Sequence, residues 1–260
     1  MSRIAAAFAK ARQARRIAFI PYLTAGDPSI EATVDLALVL RGCGADLIEL
    51  GVPFSDPLAD GEVIQRAAAR ALARGTTLET VLEAAARIRQ MSDVPLLLFS
   101  YLNPLLRMGW PRLAQAASAA GVDGVLATDL PVEEADDYIA ALGEKNLDPV
   151  FMAAPTTAQD RLDAIGRASR GFLYYVTRAG VTGERATLPP ETADRVRRLR
   201  QSTSLPIALG FGVSDREQVR QAGEFADGVV VGSALVRVVE QCSEPAVLAE
   251  RLKRRVAELF

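Results

Sequence analysis

Eight short apolar segments recur along the chain, at residues 17–23, 47–50, 96–101, 124–127, 150–153, 172–176, 207–209 and 228–231. Amphipathic stretches separate them, and several open on helix-start signals: Ser29 ahead of Ile30, Val34, Ala37 and Leu38, Thr76 with Glu79, Pro131 with Glu133, and Ser214 with Glu217. Strand followed by helix, repeated, predicts a parallel sheet with helical crossovers. Eight repeats are the number that closes such a sheet into a (β/α)8 TIM barrel of the α/β class. An open doubly wound sheet is the alternative, but the first strand-to-helix turn, Thr24-Ala25-Gly26-Asp27-Pro28, lacks the GxGxxG fingerprint of dinucleotide binding. The connection after the second strand is the longest, with candidate helices at 62–73 and 78–91, which marks an elaborated loop at the functional end of the barrel.

A chain of 260 residues, half of them hydrophobic, suffices for one barrel domain over 1–260, and no Gly/Ser linker or low-complexity tract divides it. Residues 1–16 are basic, free of acidic residues and amphipathic, with Ile4, Phe8 and Ala11 on one face. That pattern describes either a targeting segment or an extra N-terminal helix closing the barrel bottom, and the second is the plainer reading. The formal charge of -2 leaves no footprint for nucleic acid. No apolar run reaches the ~18 residues of a membrane span. Cys43 and Cys242 form no paired framework, so a reducing, cytoplasmic setting is expected.

The chain has no histidine, which removes Ser-His-Asp triads and His-ligated metal. Its lysines, Lys10, Lys145 and Lys253, all fall in helical or turn contexts, so a Schiff-base lysine on a strand is not expected. Acid and base work falls to carboxylates or tyrosine. Glu49 stands inside the apolar run Leu47-Ile48-Glu49-Leu50, where a carboxylate must be paired, protonated or functional. Burial there would lift its pKa toward the range in which one group both gives and takes a proton. Asp60 lies past a Pro-rich loop that can fold it over the same strand end.

Gly210-Phe211-Gly212-Val213-Ser214 and Val231-Gly232-Ser233-Ala234 follow strands seven and eight, the place where barrels bind phosphate through backbone N–H groups and a helix N-terminus. After strand six, Tyr174-Tyr175-Val176-Thr177-Arg178-Ala179-Gly180-Val181-Thr182-Gly183-Glu184-Arg185 reads as a lid with two glycines as hinges.

These residues resemble those of the tryptophan synthase alpha chain family across nearly the whole chain. The likeness rests on Tyr22-Leu23-Thr24-Ala25-Gly26-Asp27-Pro28, Glu49-Leu50-Gly51-Val52-Pro53-Phe54-Ser55-Asp56-Pro57-Leu58-Ala59-Asp60-Gly61, Asp123-Gly124-Val125, Arg178-Ala179-Gly180-Val181-Thr182-Gly183 and Gly210-Phe211-Gly212-Val213. It implies retro-aldol cleavage of indole-3-glycerol phosphate to indole and glyceraldehyde 3-phosphate, without metal or cofactor in this chain. By the resemblance, Glu49 is the general acid/base and Asp60, kept ionised in a more polar setting, offsets the positive charge developing on the indole nitrogen. Phosphate contacts map to Gly183, Gly212, Gly232 and Ser233. Tyr22, Tyr174 and Phe211 would line the pocket, and Thr182 would hydrogen-bond Asp60 on lid closure. The resemblance further implies a partner beta chain that carries pyridoxal phosphate, in an alpha2-beta2 tetramer. Residues 53–58 and 101–104, with Pro53, Asp56, Pro57 and Asn103 foremost, would face it. Tyr22 stands where the family often has Phe, adding a hydroxyl that needs a partner if buried. Three other readings stay open: a sugar-phosphate isomerase using Asp60 and Asp129, a barrel that survives only as an allosteric subunit, and a self-sufficient lyase that releases indole.

Overall fold

The computed structural model describes residues 1–177, 191–210, 212–242 and 244–260. Its strands are β1 (Ala18–Thr24), β2 (Ile48–Gly51), β3 (Leu96–Ser100), β4 (Gly124–Ala127), β5 (Asp148–Val150), β6 (Met152–Ala153), β7 (Leu173–Val176), β8 (Ile207–Gly210) and β9 (Gly228–Val231). All pairs are parallel, in the order β5-β4-β3-β2-β1-β9-β8-β7-β6. The two ends of that order, β5 and β6, are one predicted strand interrupted at Phe151. Its first half pairs with β4 and its second with β7, so the interruption is where the ring of strands meets itself.

Alternation along each strand sorts side chains between two cores. Ile20, Leu97, Leu126, Val150 and Ala208 point into the barrel, while Phe19, Leu98, Val125, Phe151 and Leu209 pack outward under the helices. Both faces are buried, as parallel sheets require.

The helix Arg3–Gln13 plugs the bottom of the barrel. Its buried stripe is Ile4, Phe8 and Ala11, with the Phe8 ring 5.4 Å from that of Phe172. Glycines make room for the plug: a Cβ on Gly124 would fall 2.9 Å from Ile4 Cδ1, and one on Gly228 would fall 2.8 Å from Phe8 Cε1. Ser2 caps the helix by accepting the Ala5 N–H, and its hydroxyl donates to Asp148 at 2.5 Å. Arg3 reaches Asp123 at 2.9 Å. The basic N-terminal segment is therefore built into the barrel floor.

Around that floor a single device repeats. Asp46, Asp123 and Asp227 each precede a strand, and each accepts a backbone N–H of the neighbouring strand, from Phe19, Leu96 and Ile207, at 2.8 to 2.9 Å. Arg16, Arg89 and Arg200 neutralise them in turn. These are structural acids at the end opposite the pocket.

Of the expected helix starts, Ser29 caps the helix Ile30–Gly42 through the Ala32 N–H. Two others shift by one residue. Thr77, not Thr76, caps Leu78–Met91: its side chain accepts the Thr80 N–H and Thr80 Oγ1 accepts the Thr77 N–H, while Thr76 is buried against Gly26. Asp215, not Ser214, caps Arg216–Ala222, its carboxylate accepting the Gln218 N–H. Pro131 opens only a 3-10 turn, Val132–Glu134, and the α-helix follows at Asp136.

Candidate active site

At the C-terminal mouth of the barrel a pocket is lined by Tyr22, Glu49, Ala59, Asp60, Ile64, Phe99, Thr128, Met152, Tyr174, Val176, Gly210, Gly212, Val230, Gly232 and Ser233. Strand register explains the meeting. Tyr22 of β1 sits opposite Glu49 of β2, and Tyr174 of β7 sits opposite Met152, all on the inward face. Phe99 lies edge-on to Tyr22, with ring centroids 5.5 Å apart. Tyr22 crosses β2 so closely that a Cβ on Gly51 would stand 2.1 Å from its hydroxyl oxygen. The hydroxyl of Tyr22 also finds the partner that its burial demands, accepting from Thr24 Oγ1 at 3.5 Å.

Glu49 is fully buried, and neither carboxyl oxygen has a hydrogen-bond partner. Desolvation alone pushes its pKa well above the usual carboxylate value. Burial therefore favours its protonated form. Asp60, 8% exposed, is treated differently. Burial raises its pKa to about 6, while a hydrogen bond with the Tyr101 hydroxyl pulls the other way. That hydroxyl also accepts the Ala59 N–H at 3.0 Å, and Gln65 Nε2 donates to the Asp60 carbonyl at 2.8 Å, so the loop is pinned on both sides of the carboxylate. At pH 7 Asp60 is mostly ionised. A carboxyl that burial biases toward its protonated form and one that titrates near 6 thus face the same cavity, which is the arrangement that acid/base chemistry on a substrate developing positive charge needs.

The opposite rim is built for an anion. Gly232 precedes the helix Ser233–Glu240, whose first turn holds no acidic residue and whose N-terminus has no side-chain cap, leaving its partial positive charge facing the pocket. Gly212 adopts a φ of +74°, a conformation that favours glycine. Among the described residues, no group of three His, Cys, Asp or Glu side chains could hold a metal ion.

The structure brings together Tyr22, Glu49, Asp60, Tyr174, Gly212, Gly232 and Ser233 of the expected site. Thr182, Gly183 and Phe211 lie outside the described residues. Of the expected partner face, Asp56 and Asn103 are exposed and Pro57 half-buried, and Leu58 is 81% exposed. Pro53 is instead buried, in a groove between the β2 loop and residues 103–112, and Phe54 stacks on Tyr101 with centroids 5.2 Å apart. Tyr101, two residues past Phe99 in the inward series, reaches the Asp60 loop through its hydroxyl. Asp129 is exposed, accepts the Leu102 N–H at 2.6 Å and does not line the pocket, so the two-aspartate isomerase pairing is not formed. Sequence reasoning missed Ile64, Phe99, Tyr101, Thr128 and Met152. Stepping by two from Leu97, Leu126 and Val150 would have found all of these but Ile64.

The sequence model of the tryptophan synthase alpha chain family matches residues 8–259. The chain belongs to that family. It is 52% identical over 259 residues to the tryptophan synthase alpha chain of Solibacter usitatus, covering 100% of this chain and 97% of the relative. It is 49% identical to that of Alkalilimnicola ehrlichii, covering 97% and 94%. Among solved structures, a chain of Mycobacterium tuberculosis tryptophan synthase superposes with a TM-score of 0.91 at 37% identity, over 99% of this chain and 96% of that one. A chain of the mutually activating a2b2 tryptophan synthase complex of Pyrococcus furiosus superposes with a TM-score of 0.87 at 41% identity, over 93% and 97%. As an alpha chain, the barrel is a TIM-barrel lyase fold whose pocket sits where the family's chemistry is expected.

Proposed function

We infer that this alpha chain cleaves indole-3-glycerol phosphate to indole and glyceraldehyde 3-phosphate, with Glu49 as the single acid/base and Asp60 as its electrostatic counterpart. Protonated Glu49 donates to indole C3, and the ring's C2–C3 π electrons form the new C–H bond, leaving an iminium at the ring nitrogen. Ionised Asp60 offsets that positive charge. Glu49, now a carboxylate, takes the proton of the hydroxyl on the carbon attached to C3. The oxygen lone pair becomes a carbonyl, the C3–C bond breaks, and its electrons return to the ring and neutralise the nitrogen. Glu49 ends protonated, ready for another turnover. Phe99, Met152 and Ile64 supply the apolar walls for the indole, and the Gly212 and Gly232–Ser233 backbone takes the phosphate.

The observation that carries this reading is the buried Glu49 carboxyl with no partner on either oxygen. A structural glutamate would have one. No cofactor is needed in this chain, since every proton has a named donor and acceptor. Released indole passes to a beta chain holding pyridoxal phosphate, in an alpha2-beta2 assembly in the cytoplasm. No helix among the described residues is long and apolar enough to cross a membrane.

The test is Glu49→Gln, which keeps volume and removes the titrating proton. General acid/base groups contribute roughly 10² to 10⁴ in rate, and one serving two transfers belongs at the upper end. We expect lysis to be lost with thermal unfolding and phosphate-ester binding intact. Lysis within about tenfold of wild type would return Glu49 to a structural role.

A further inference from the structure

We propose that Thr128 is a substrate-binding residue that holds the hydroxyl of the glycerol chain which does not react. The proposal rests on the lyase reading above and extends it to a group that reading leaves unmatched. Indole-3-glycerol phosphate offers four polar groups to the pocket: a ring N–H, two chain hydroxyls and a phosphate. Asp60 answers the N–H, Glu49 takes the proton of the hydroxyl next to the ring, and the glycine rim takes the phosphate. The middle hydroxyl has no counterpart among these.

The pocket has one matching surplus. Thr128 Oγ1 is buried and without a hydrogen-bond partner, and Thr128 lines the cavity with Glu49. Among the described pocket residues, the buried side-chain oxygens left unpaired are those of Glu49 and this one. Its direction follows from the strand. Leu126 points into the barrel, and Thr128, two residues on, continues the inward series just past β4. Its backbone is held there by the Thr128 N–H donating to the Ser100 carbonyl at 2.9 Å. Phe99 and Met152 of the adjacent strands, which line the same cavity, are apolar. An unpaired buried hydroxyl is destabilising, and a ligand hydroxyl that pairs with it recovers the cost on binding. The same site disfavours a ligand that lacks the hydroxyl.

Because the middle hydroxyl is unchanged in the reaction, the contact is made equally in the ground state and the transition state. Its loss falls on KM and leaves kcat nearly unchanged. The experiment compares wild type, Thr128→Val and Thr128→Ser on two ligands: indole-3-glycerol phosphate, and the indole-3-propanol phosphate analogue that keeps ring, chain length and phosphate but lacks both hydroxyls. Val keeps the shape, and Ser keeps the hydroxyl. We expect Thr128→Val to raise KM about tenfold, the size of one uncharged hydrogen bond, to bind the analogue as tightly as wild type or tighter, and to unfold at the same temperature or higher. Thr128→Ser should restore KM. A Val variant with KM within twofold of wild type, or one that loses equal affinity for both ligands, would overturn the pairing while leaving the lyase intact. A wild-type chain that binds the analogue and cleaves nothing would overturn the lyase reading and this pairing with it.

Discussion

A carboxyl group with no hydrogen-bond partner titrates where desolvation puts it, and one beside a phenol titrates lower. Glu49 and Asp60 share one cavity under these two regimes, and the difference becomes a pH profile. Below about 6 Asp60 takes up a proton and can no longer offset a cationic ring, so kcat/KM should fall as pH falls through that value. Tyr101→Phe removes the hydrogen bond that lowers the Asp60 pKa, so the acidic limb should move to higher pH. A profile that stays in place in the Phe variant would detach Asp60 from the limb. The exposed acids of the mouth, such as Asp56, do not face the cavity and give no competing source for it.

At the scale of elements, β2 and the helix after β9 set the site, and glycines decide both. Gly51→Ala would place a methyl group inside the van der Waals envelope of the Tyr22 ring, whose Cζ lies 2.4 Å from the ideal Cβ. Since the ring clashes as well as the hydroxyl, Tyr22→Phe would not relieve it. Overpacking of this kind costs about 1–3 kcal/mol, and denaturant unfolding should register it together with a fall in lysis. Unchanged stability would mean that Tyr22 has room to swing away. Gly232 is the opposite case: a Cβ there meets only ordinary contacts at 3.7 to 3.8 Å, so the fold tolerates a side chain. Gly232→Val should nonetheless weaken phosphorylated ligands by roughly tenfold or more, the value of a hydrogen bond to a charged group, while free indole binds as before. Equal losses on both would show that the glycine serves packing. Much of this scale was legible in advance. The helices Glu62–Ala73 and Leu78–Met91 fall where the periodicity places them, since amphipathic helices carry their own register. The pocket walls were less legible. In strands buried on both faces, Leu97, Leu98 and Phe99 look alike in sequence, and only the closed barrel decides which of them face the ligand. The division of the fifth strand at Phe151 has no local mark either, because it is set by pairing with two different neighbours.

For the molecule as a whole, the family relationship and the exposed β2 loop frame a test of partner control. Asp60 is held by Tyr101, and four residues before it Asp56 is exposed to solvent on a loop that also exposes Leu58. A beta chain docked on Asp56 and Leu58 would narrow the positions open to Asp60 and raise turnover by population shift, without placing a residue in the pocket. Titrating the purified chain with a tryptophan synthase beta chain should therefore raise indole release, with Asp56→Ala needing more partner to reach the same rate. Full activity alone, with no rise on titration, would favour a self-sufficient lyase. Glu49, Asp60 and the glycine rims could be read from the sequence because each breaks a local pattern, a charge in an apolar run or glycine at a strand end. The interface is harder to read, since exposure depends on how the loop lies, and Pro53 is buried while Pro57, four residues on in the same loop, is half-buried.

The plug at the barrel floor also sets a schedule for synthesis. Ser2 is tied to Asp148, 146 residues later, and β1 must find β9 before the ring is complete. At roughly 5–20 residues per second, the helix Arg3–Gln13 waits about 7–30 s for the aspartate that anchors it, its Ile4 and Phe8 stripe unsheltered meanwhile. Nascent chains stalled before β5 should therefore offer that stripe to chaperones, and those stalled beyond β9 should not.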